Sequence, residues 1–311
     1  MKYFLIFLIT VVVIGGAVLL YQNQTNDIVV EPDPNLPTEN EESTNTTEED
    51  DTTTTEEDEN DTERPSETVL GTSVEGNDIV AHHFGTGDTE LLFIGGVHGG
   101  YSWNTPLVAF KMIDWLNANP DAVPDNVTVT VVPVLNPDGL KATVGTTGLF
   151  NASAVPGDEA TRIAGRFNAN GVDLNRNFDC EWKSTGTWQN QTVDGGETPF
   201  SEPESQAMRA YVNEHQPAAA VVWFSAAGGV YASNCGGAVD SETTSLTELY
   251  ATASGYDAFS SYDYYEVTGD MVNWMAKQNI PAISVLLSDH SSTEWTKNRS
   301  GIEAVFNRYA Q

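Results

Sequence analysis

The sequence predicts an α/β domain with a mostly parallel or mixed sheet, and three observations predict it. Apolar runs of strand length recur from about residue 69 onward. Segments with apolar residues at helical spacing lie between them. Glycine- and proline-bearing turns close the apolar runs. Strands that alternate with helices bury their apolar faces by packing the helices on a central sheet.

The elements follow in order. His82 and His83 are neighbours on a strand, so they point to opposite faces, which argues against a shared metal site. Glu90-Leu-Leu-Phe-Ile-Gly-Gly96 is a buried strand ending in a glycine turn. A helix starts near Thr105, with Leu107, Phe110, Ile113 and Leu116 at helical spacing. Val127 to Leu135 alternates β-branched residues and stops at Asn136-Pro137-Asp138-Gly139, a strong turn signal. Ser201-Glu202-Pro203-Glu204 has the form of a capping box with proline in the first turn, and opens another helix. His215 sits at a helix end, where a cation meets the dipole favourably. Ala218 to Ser225 and Ala282 to Leu287 are further buried strands, and a last helix runs from about Asn298 to Tyr309.

Charge and composition divide the chain into three. Of 311 residues, 13 are Lys or Arg and 45 are Asp or Glu, a net of -32. Nucleic-acid binding demands a basic face, so it is excluded as a function. Residues 1–21 hold an uncharged apolar run from Tyr3 to Tyr21. It spans roughly 28 Å as a helix, close to a bilayer core of ~30 Å. Its length and the poor cleavage site at Leu19-Leu20-Tyr21-Gln22 favour an uncleaved anchor. A cleaved signal peptide, and hence a secreted protein, is the alternative. Lys2 ahead of the run and acid behind it orient the amino terminus inside and the domain outside. Residues 22–68 carry 17 acidic residues against Arg64 alone, and tracts such as Thr52-Thr53-Thr54-Thr55. Such a segment cannot offset its chain entropy by burial and reads as a solvated, self-repelling tether. The folded domain is expected from Val69 to Gln311, with 28 acidic and 11 basic residues. Two cysteines, Cys180 and Cys235, exclude a disulfide-framework fold and a cysteine-rich metal module.

In α/β folds, ligands bind outside the carboxyl ends of the strands. The loops at those ends carry the polar residues: Val97-His98-Gly99-Gly100-Tyr101-Ser102-Trp103-Asn104-Thr105; Arg166 with Asp173-Leu174-Asn175-Arg176-Asn177-Phe178; Phe224-Ser225; Tyr265 to Asp270; and Ser288-Asp289-His290. Together with Thr293-Glu294-Trp295, and in this order, they resemble the zinc carboxypeptidase family, typified by carboxypeptidase A and its bacterial relatives. Gly171-Val-Asp-Leu-Asn-Arg-Asn-Phe178 is the most specific piece. The resemblance implies a three-layer α/β/α fold around a mixed sheet of about eight strands.

The family's chemistry uses zinc held by two His and one Glu, with an open position for water. It adds a Glu as general base, arginines for the terminal carboxylate and the scissile carbonyl, and a lid tyrosine. Carried over by position, His98 is the one retained ligand. Ser102 stands where close bacterial relatives have Glu; if a three-residue spacing applies instead, Tyr101 occupies that place. Phe224 stands where the second His belongs, and Leu286 where the general base belongs. None of these three can do the family's work. The substrate side differs. Arg166 matches the arginine that polarises the carbonyl, Asn175 and Arg176 the carboxylate clamp, Tyr265 the lid, and Asp173 the residue that orients the first His. Asp270 follows Tyr265 closely enough to reach the side-chain pocket, where it would favour a ligand ammonium. Asp289-His290 is a weak candidate for a replacement site. Outside a membrane, Cys180 and Cys235 are expected to form a disulfide.

The functional expectation is a membrane-tethered, extracytoplasmic domain that binds peptide or peptidoglycan stem-peptide carboxyl termini without cleaving them. Zinc belongs to the family but is not expected here, because losing a set of groups that act as a unit leaves no source of nucleophile. Two alternatives stand beside it: an active metallocarboxypeptidase with a rearranged zinc site, and a structural surface domain with a vestigial cleft.

Overall fold

The computed structural model describes residues 64–310. The expected anchor (3–21) and nearly all of the expected tether (22–68) lie outside the described residues. Among the described residues no helix is long and apolar enough to cross a membrane.

The chain opens with β1 (Glu67–Thr72), β2 (Asp78–Phe84) and β3 (Thr89–Ile94), followed by α1 (Asn104–Ala118). Next come β4 (Val127–Val132), α2 (Pro137–Val144), α3 (Glu159–Ala164) and the small hairpin β5 (Thr185–Trp188) and β6 (Gln191–Asp194). Then follow α4 (Pro203–His215), β7 (Ala219–Ser225), β8 (Gly229–Ala232), α5 (Ser241–Ser254) and the short β9 (Ala258–Phe259). The chain closes with α6 (Met271–Lys277), β10 (Ala282–Leu287) and α7 (Trp295–Tyr309).

The central sheet has eight strands in the order β1-β2-β4-β3-β7-β10-β8-β9. It is mixed: β4, β3, β7 and β10 run parallel, while β1, β2 and β8 pair antiparallel to their inner neighbours. Side chains alternate across it with the strand period of two. Leu92 and Ile94 of β3 face one core, with Met208 of α4 and Met271 and Trp274 of α6. Leu91 and Phe93 face the other, with Met112 of α1, Leu246 and Tyr250 of α5, and Ile302 and Phe306 of α7. That makes three layers, α/β/α. Phe93 is fully buried, and its truncation to Ala would cost roughly 3–5 kcal/mol.

Five local expectations need correction. The first strand begins at Glu67, ahead of Val69. Arg64, counted with the tether, is instead bound to the domain: its guanidinium meets Glu90 at 3.2 Å and the Tyr211 hydroxyl at 2.6 Å. Asn136-Pro-Asp-Gly is not a reversing turn but the start of α2. Asn136 caps that helix by accepting from the Gly139 N–H at 2.9 Å, with Pro137 at its first position. The Ser201 capping box does not form. The Ser201 hydroxyl donates to Glu202 at 2.8 Å, and the Glu202 N–H is taken by Asn177 Oδ1 at 3.1 Å. Finally, α7 begins at Trp295 rather than near Asn298.

Candidate functional site

The parallel strands β3, β7 and β10 end at one edge of the sheet, and their following loops surround a cleft of ≈ 480 Å³. His98 comes from the loop after β3, Phe224 and Ser225 from the end of β7, and Leu286 from β10. Arg166, Asn175, Arg176, Tyr265, Asp270 and His290 also line it. The sequence motifs are thus brought together.

The His98 loop is pressed onto α2. A Cβ at Gly100 would meet Thr143 Oγ1 at 1.8 Å, so only glycine lets the loop sit there. His98 is buried, and its ring lies 5.4 Å from that of Phe224. Burial, with Arg166 nearby, pulls its imidazole down to about 4. Nε2 stands 3.5 Å from Asp173 Oδ1, and neither ring nitrogen makes a hydrogen bond. Ser102 is also buried, its hydroxyl unpartnered, and it does not reach the cleft wall. Tyr101 does, with its ring edge-on to Trp188 at 4.9 Å and to His290 at 4.6 Å.

Asp173 was expected to orient His98. Its Oδ1 does face His98 Nε2 at 3.5 Å, while its shorter bonds go elsewhere. Oδ2 accepts from Arg166 Nε at 2.9 Å and Nη2 at 2.8 Å, and Oδ1 from the Asn175 N–H at 3.1 Å. Burial pushes its carboxyl up, but the Arg166 guanidinium and His98 outweigh that and hold it well below the usual carboxylate range. Arg166 in turn lies 4.4 Å over the Trp188 ring and 5.7 Å over Tyr101.

Arg176 is almost wholly buried. Its Nε and Nη2 donate to the Thr187 carbonyl at 3.2 and 2.7 Å, and Nη1 to the Asn175 carbonyl at 2.7 Å. A guanidinium has more donors than these bonds use, and the rest are left for the cleft. Two glycines make room for it. A Cβ at Gly186 would meet Arg176 Cδ at 2.7 Å, and one at Gly269 (φ +65°) would meet the Arg176 carbonyl oxygen at 2.1 Å. Asn175 is engaged by α6: Nδ2 donates to Asp270 Oδ2 at 2.7 Å, and Oδ1 accepts from the Met271 N–H at 3.1 Å. Asp270 caps that helix, accepting from the Asn273 N–H at 2.9 Å, and burial pushes its carboxyl up. Tyr265 is half-buried and packs edge-on against Tyr262 at 5.2 Å. Cys180 and Cys235 are joined as a disulfide beside Glu181 and Asn234 of the cleft wall.

Asp289 points away into its own loop, accepting from the Ser291 and Ser292 N–H groups at 2.6 and 2.8 Å. His290 faces the cleft, and burial and Arg162 pull its imidazole down from its ordinary value. His83 is buried at the other end of β2 between the Thr68 and Thr130 hydroxyls, at 2.7 and 3.0 Å. His82 points to the opposite face, toward Glu67 at 3.2 Å. His215, the last residue of α4, lies 3.5 Å from Glu90. Sequence reasoning missed Trp188 as the platform under Arg166. The hairpin that carries it has no motif, and its neighbour Gly186 was the only local signal.

A zinc site with three protein ligands and an open position needs three donors. At the three ligand positions this cleft offers one imidazole, a buried hydroxyl and an aromatic ring, and that set does not fit such a site. Among the described residues no three His, Cys, Asp or Glu side chains converge to hold a metal.

The fold and this cleft define a protein of the carboxypeptidase class. The zinc carboxypeptidase family model matches residues 58–310, and the chain belongs to that family, which acts on peptide carboxyl termini. The chain is 25% identical over 217 residues to gamma-D-glutamyl-L-diamino acid endopeptidase 1 of Lysinibacillus sphaericus, covering 64% of this chain and 54% of that protein. It is 32% identical over 135 residues to metallocarboxypeptidase A of Trichophyton tonsurans, covering 40% and 30%. The chain therefore spans about half or less of the length of these curated relatives. Murein-tripeptide amidase MpaA from Escherichia coli O157 shares the fold with TM-score 0.56 and 23% identity, over 79% of this chain and 92% of that one. Bovine thrombin-activatable fibrinolysis inhibitor does so with TM-score 0.62 and 15% identity, over 78% and 90%.

Proposed function

We propose that this domain binds the free carboxyl terminus of peptides and does not cleave them by metal-dependent hydrolysis. One observation carries the proposal: Arg166 and Arg176 line a cleft whose metal-ligand and general-base positions hold Ser102, Phe224 and Leu286. A buried guanidinium is suited to a carboxylate, which it meets with charge-assisted hydrogen bonds. Peptidoglycan stem peptides are the favoured ligands. The names of the Lysinibacillus endopeptidase and the murein-tripeptide amidase support that class. We further propose that residues 3–21 anchor the chain in the cell membrane with the domain outside. Protease added to intact cells should then release or degrade the domain, and full protection would refute the placement.

The binding test is a calorimetric titration with N-acetyl-alanyl-alanine and with its carboxyl-terminal amide. The acid should bind at least about tenfold more tightly, and Arg176→Ala should erase that preference. Equal affinity for acid and amide would end the proposal. A second reading, zinc held through His98 by an unfamiliar donor set, is favoured by the two unpartnered ring nitrogens of His98. About one zinc per chain by elemental analysis would support it.

A further inference from the structure

Asn104, Ser225 and His290 come from three separate loops and form one hydrogen-bond chain. Asn104 is fully buried at the start of α1. Its Nδ2 donates to the Asp289 carbonyl at 2.7 Å and to the Ser292 carbonyl at 2.8 Å. Both amide hydrogens are then used, and the orientation of the amide is settled by those two carbonyls. Oδ1 faces the Ser225 hydroxyl at 3.0 Å. An amide oxygen has no proton, so Ser225 is the donor in that bond. A hydroxyl has one proton to give. Toward His290 Nδ1, 2.8 Å away, the Ser225 oxygen can therefore only accept. The ring proton of His290 must sit on Nδ1. A neutral imidazole carries one, so Nε2 is bare.

This bare nitrogen belongs to a ring on the cleft wall. Tyr101 packs edge-on to His290 at 4.6 Å, and Arg166 lies 5.7 Å from the same tyrosine ring. Arg166 has donors only, whereas His290 offers an acceptor. A peptide group presents the matching pair, a carbonyl oxygen and an N–H. We infer that His290 is a recognition residue whose Nε2 accepts the N–H of the last peptide bond of the ligand, while Arg166 takes up the carbonyl side. The chemical class selected is a secondary amide over an ester. The ligand assignment rests on the carboxyl-terminus reading above; the Asn104–Ser225–His290 relay does not.

Two measurements on the full chain separate them. With only five histidines, ring-nitrogen NMR spectra of histidine-labelled protein are sparse, and His290→Gln assigns the signal. His290 should show its proton on Nδ1, and Ser225→Ala should abolish that preference. A proton on Nε2 in the unmodified chain overturns the inference. The second measurement compares N-acetyl-alanyl-alanine with the depsipeptide N-acetyl-alanyl-lactate. The amide should bind several-fold to about tenfold better, the worth of one hydrogen bond. His290→Leu should remove that ratio, and His290→Gln, which keeps an acceptor, should restore part of it. An unchanged ratio in His290→Leu overturns the ligand assigned to His290. If neither compound binds, the carboxyl-terminus reading fails and takes the ligand assignment with it, while the tautomer alone still decides the relay.

Discussion

The two halves of the cleft have different fates. On the His98 half, the places of a carboxylate, an imidazole and a general base are held by Ser102, Phe224 and Leu286, all buried. On the Arg176 half, the side chains matched to substrate binding are paired and positioned: Arg176 on the Thr187 carbonyl, Asn175 on Asp270, Arg166 on Asp173. Unpartnered buried polar atoms occur on both: at His98 and Ser102 on the first half, and at Thr268 and Tyr231 elsewhere around the cleft. Leaving such atoms unsatisfied costs roughly 1–3 kcal/mol each. Keeping a guanidinium buried needs the same care over partners, and the second half supplies it. Binding a carboxylate requires only that second half; cleaving next to it requires both.

The sharpest way to break this contrast is to rebuild the first half. Ser102→Glu, Phe224→His and Leu286→Glu together should raise bound zinc to about one per chain, well above the unmodified chain, since His98 then has partners enough for an open site. About one zinc in the unmodified chain would abolish the contrast, because the His98 half would then be intact in another guise. Next in size is the disulfide, which staples the Arg176 loop to the segment after β8. It closes a separation of 55 residues, worth about 4 kcal/mol in a chain-entropy account. Cys180→Ser with Cys235→Ser should lower the urea midpoint accordingly and weaken carboxylate binding more than it disturbs the His98 half.

A smaller effect comes from outside the cleft. Burial lowers His83 to about 4, against ~6.5 in an unfolded chain. Between those values the unfolded chain takes up a proton that the native one refuses. Stability is therefore fullest above ~6.5 and declines as pH falls toward about 4. His83→Gln should flatten that slope in thermal melts without changing ligand affinity. His98 titrates in the same window, so only a change of affinity in His83→Gln itself would show that the two ends of the sheet are coupled. Smallest is Tyr265→Phe, which removes a hydroxyl from a half-buried ring and should cost a few-fold in affinity.

Much of this was legible beforehand, and the exceptions have physical causes. Strands β3, β7 and β10 announced themselves because buried parallel strands are unbroken apolar runs. Helix α5 did not. Its sequence Ser-Glu-Thr-Thr-Ser-Leu-Thr-Glu is poor in helix formers, and it stands because Asp240 caps it and Leu246 and Tyr250 are buried. Strand β8 is four residues long, too short for a period to show. At the site, the chain order of the motifs placed His98, Arg166, Asn175, Arg176 and Tyr265 on one cleft. What each one bonds to was not readable. Asp173 faces His98 as its position implied, but its closer bonds are to Arg166, which no sequence signal announced. His290 stood in plain view after Asp289, but its role depends on Asn104 and Ser225, which lie far away in sequence.

The docking of Arg64 on Glu90 has a mechanical side. Glu90 lies at the amino end of β3, and the cleft opens at the carboxyl ends of β3, β7 and β10. Arg64 is thus held at the opposite pole of the domain from the mouth. A pull applied there loads the Arg64 clasp and then β1, an edge strand paired only with β2. The edge would peel first, and β3, β7 and β10 would stay paired behind it. A load on residue 64 therefore reaches the edge of the sheet before it reaches the strands that end at the cleft.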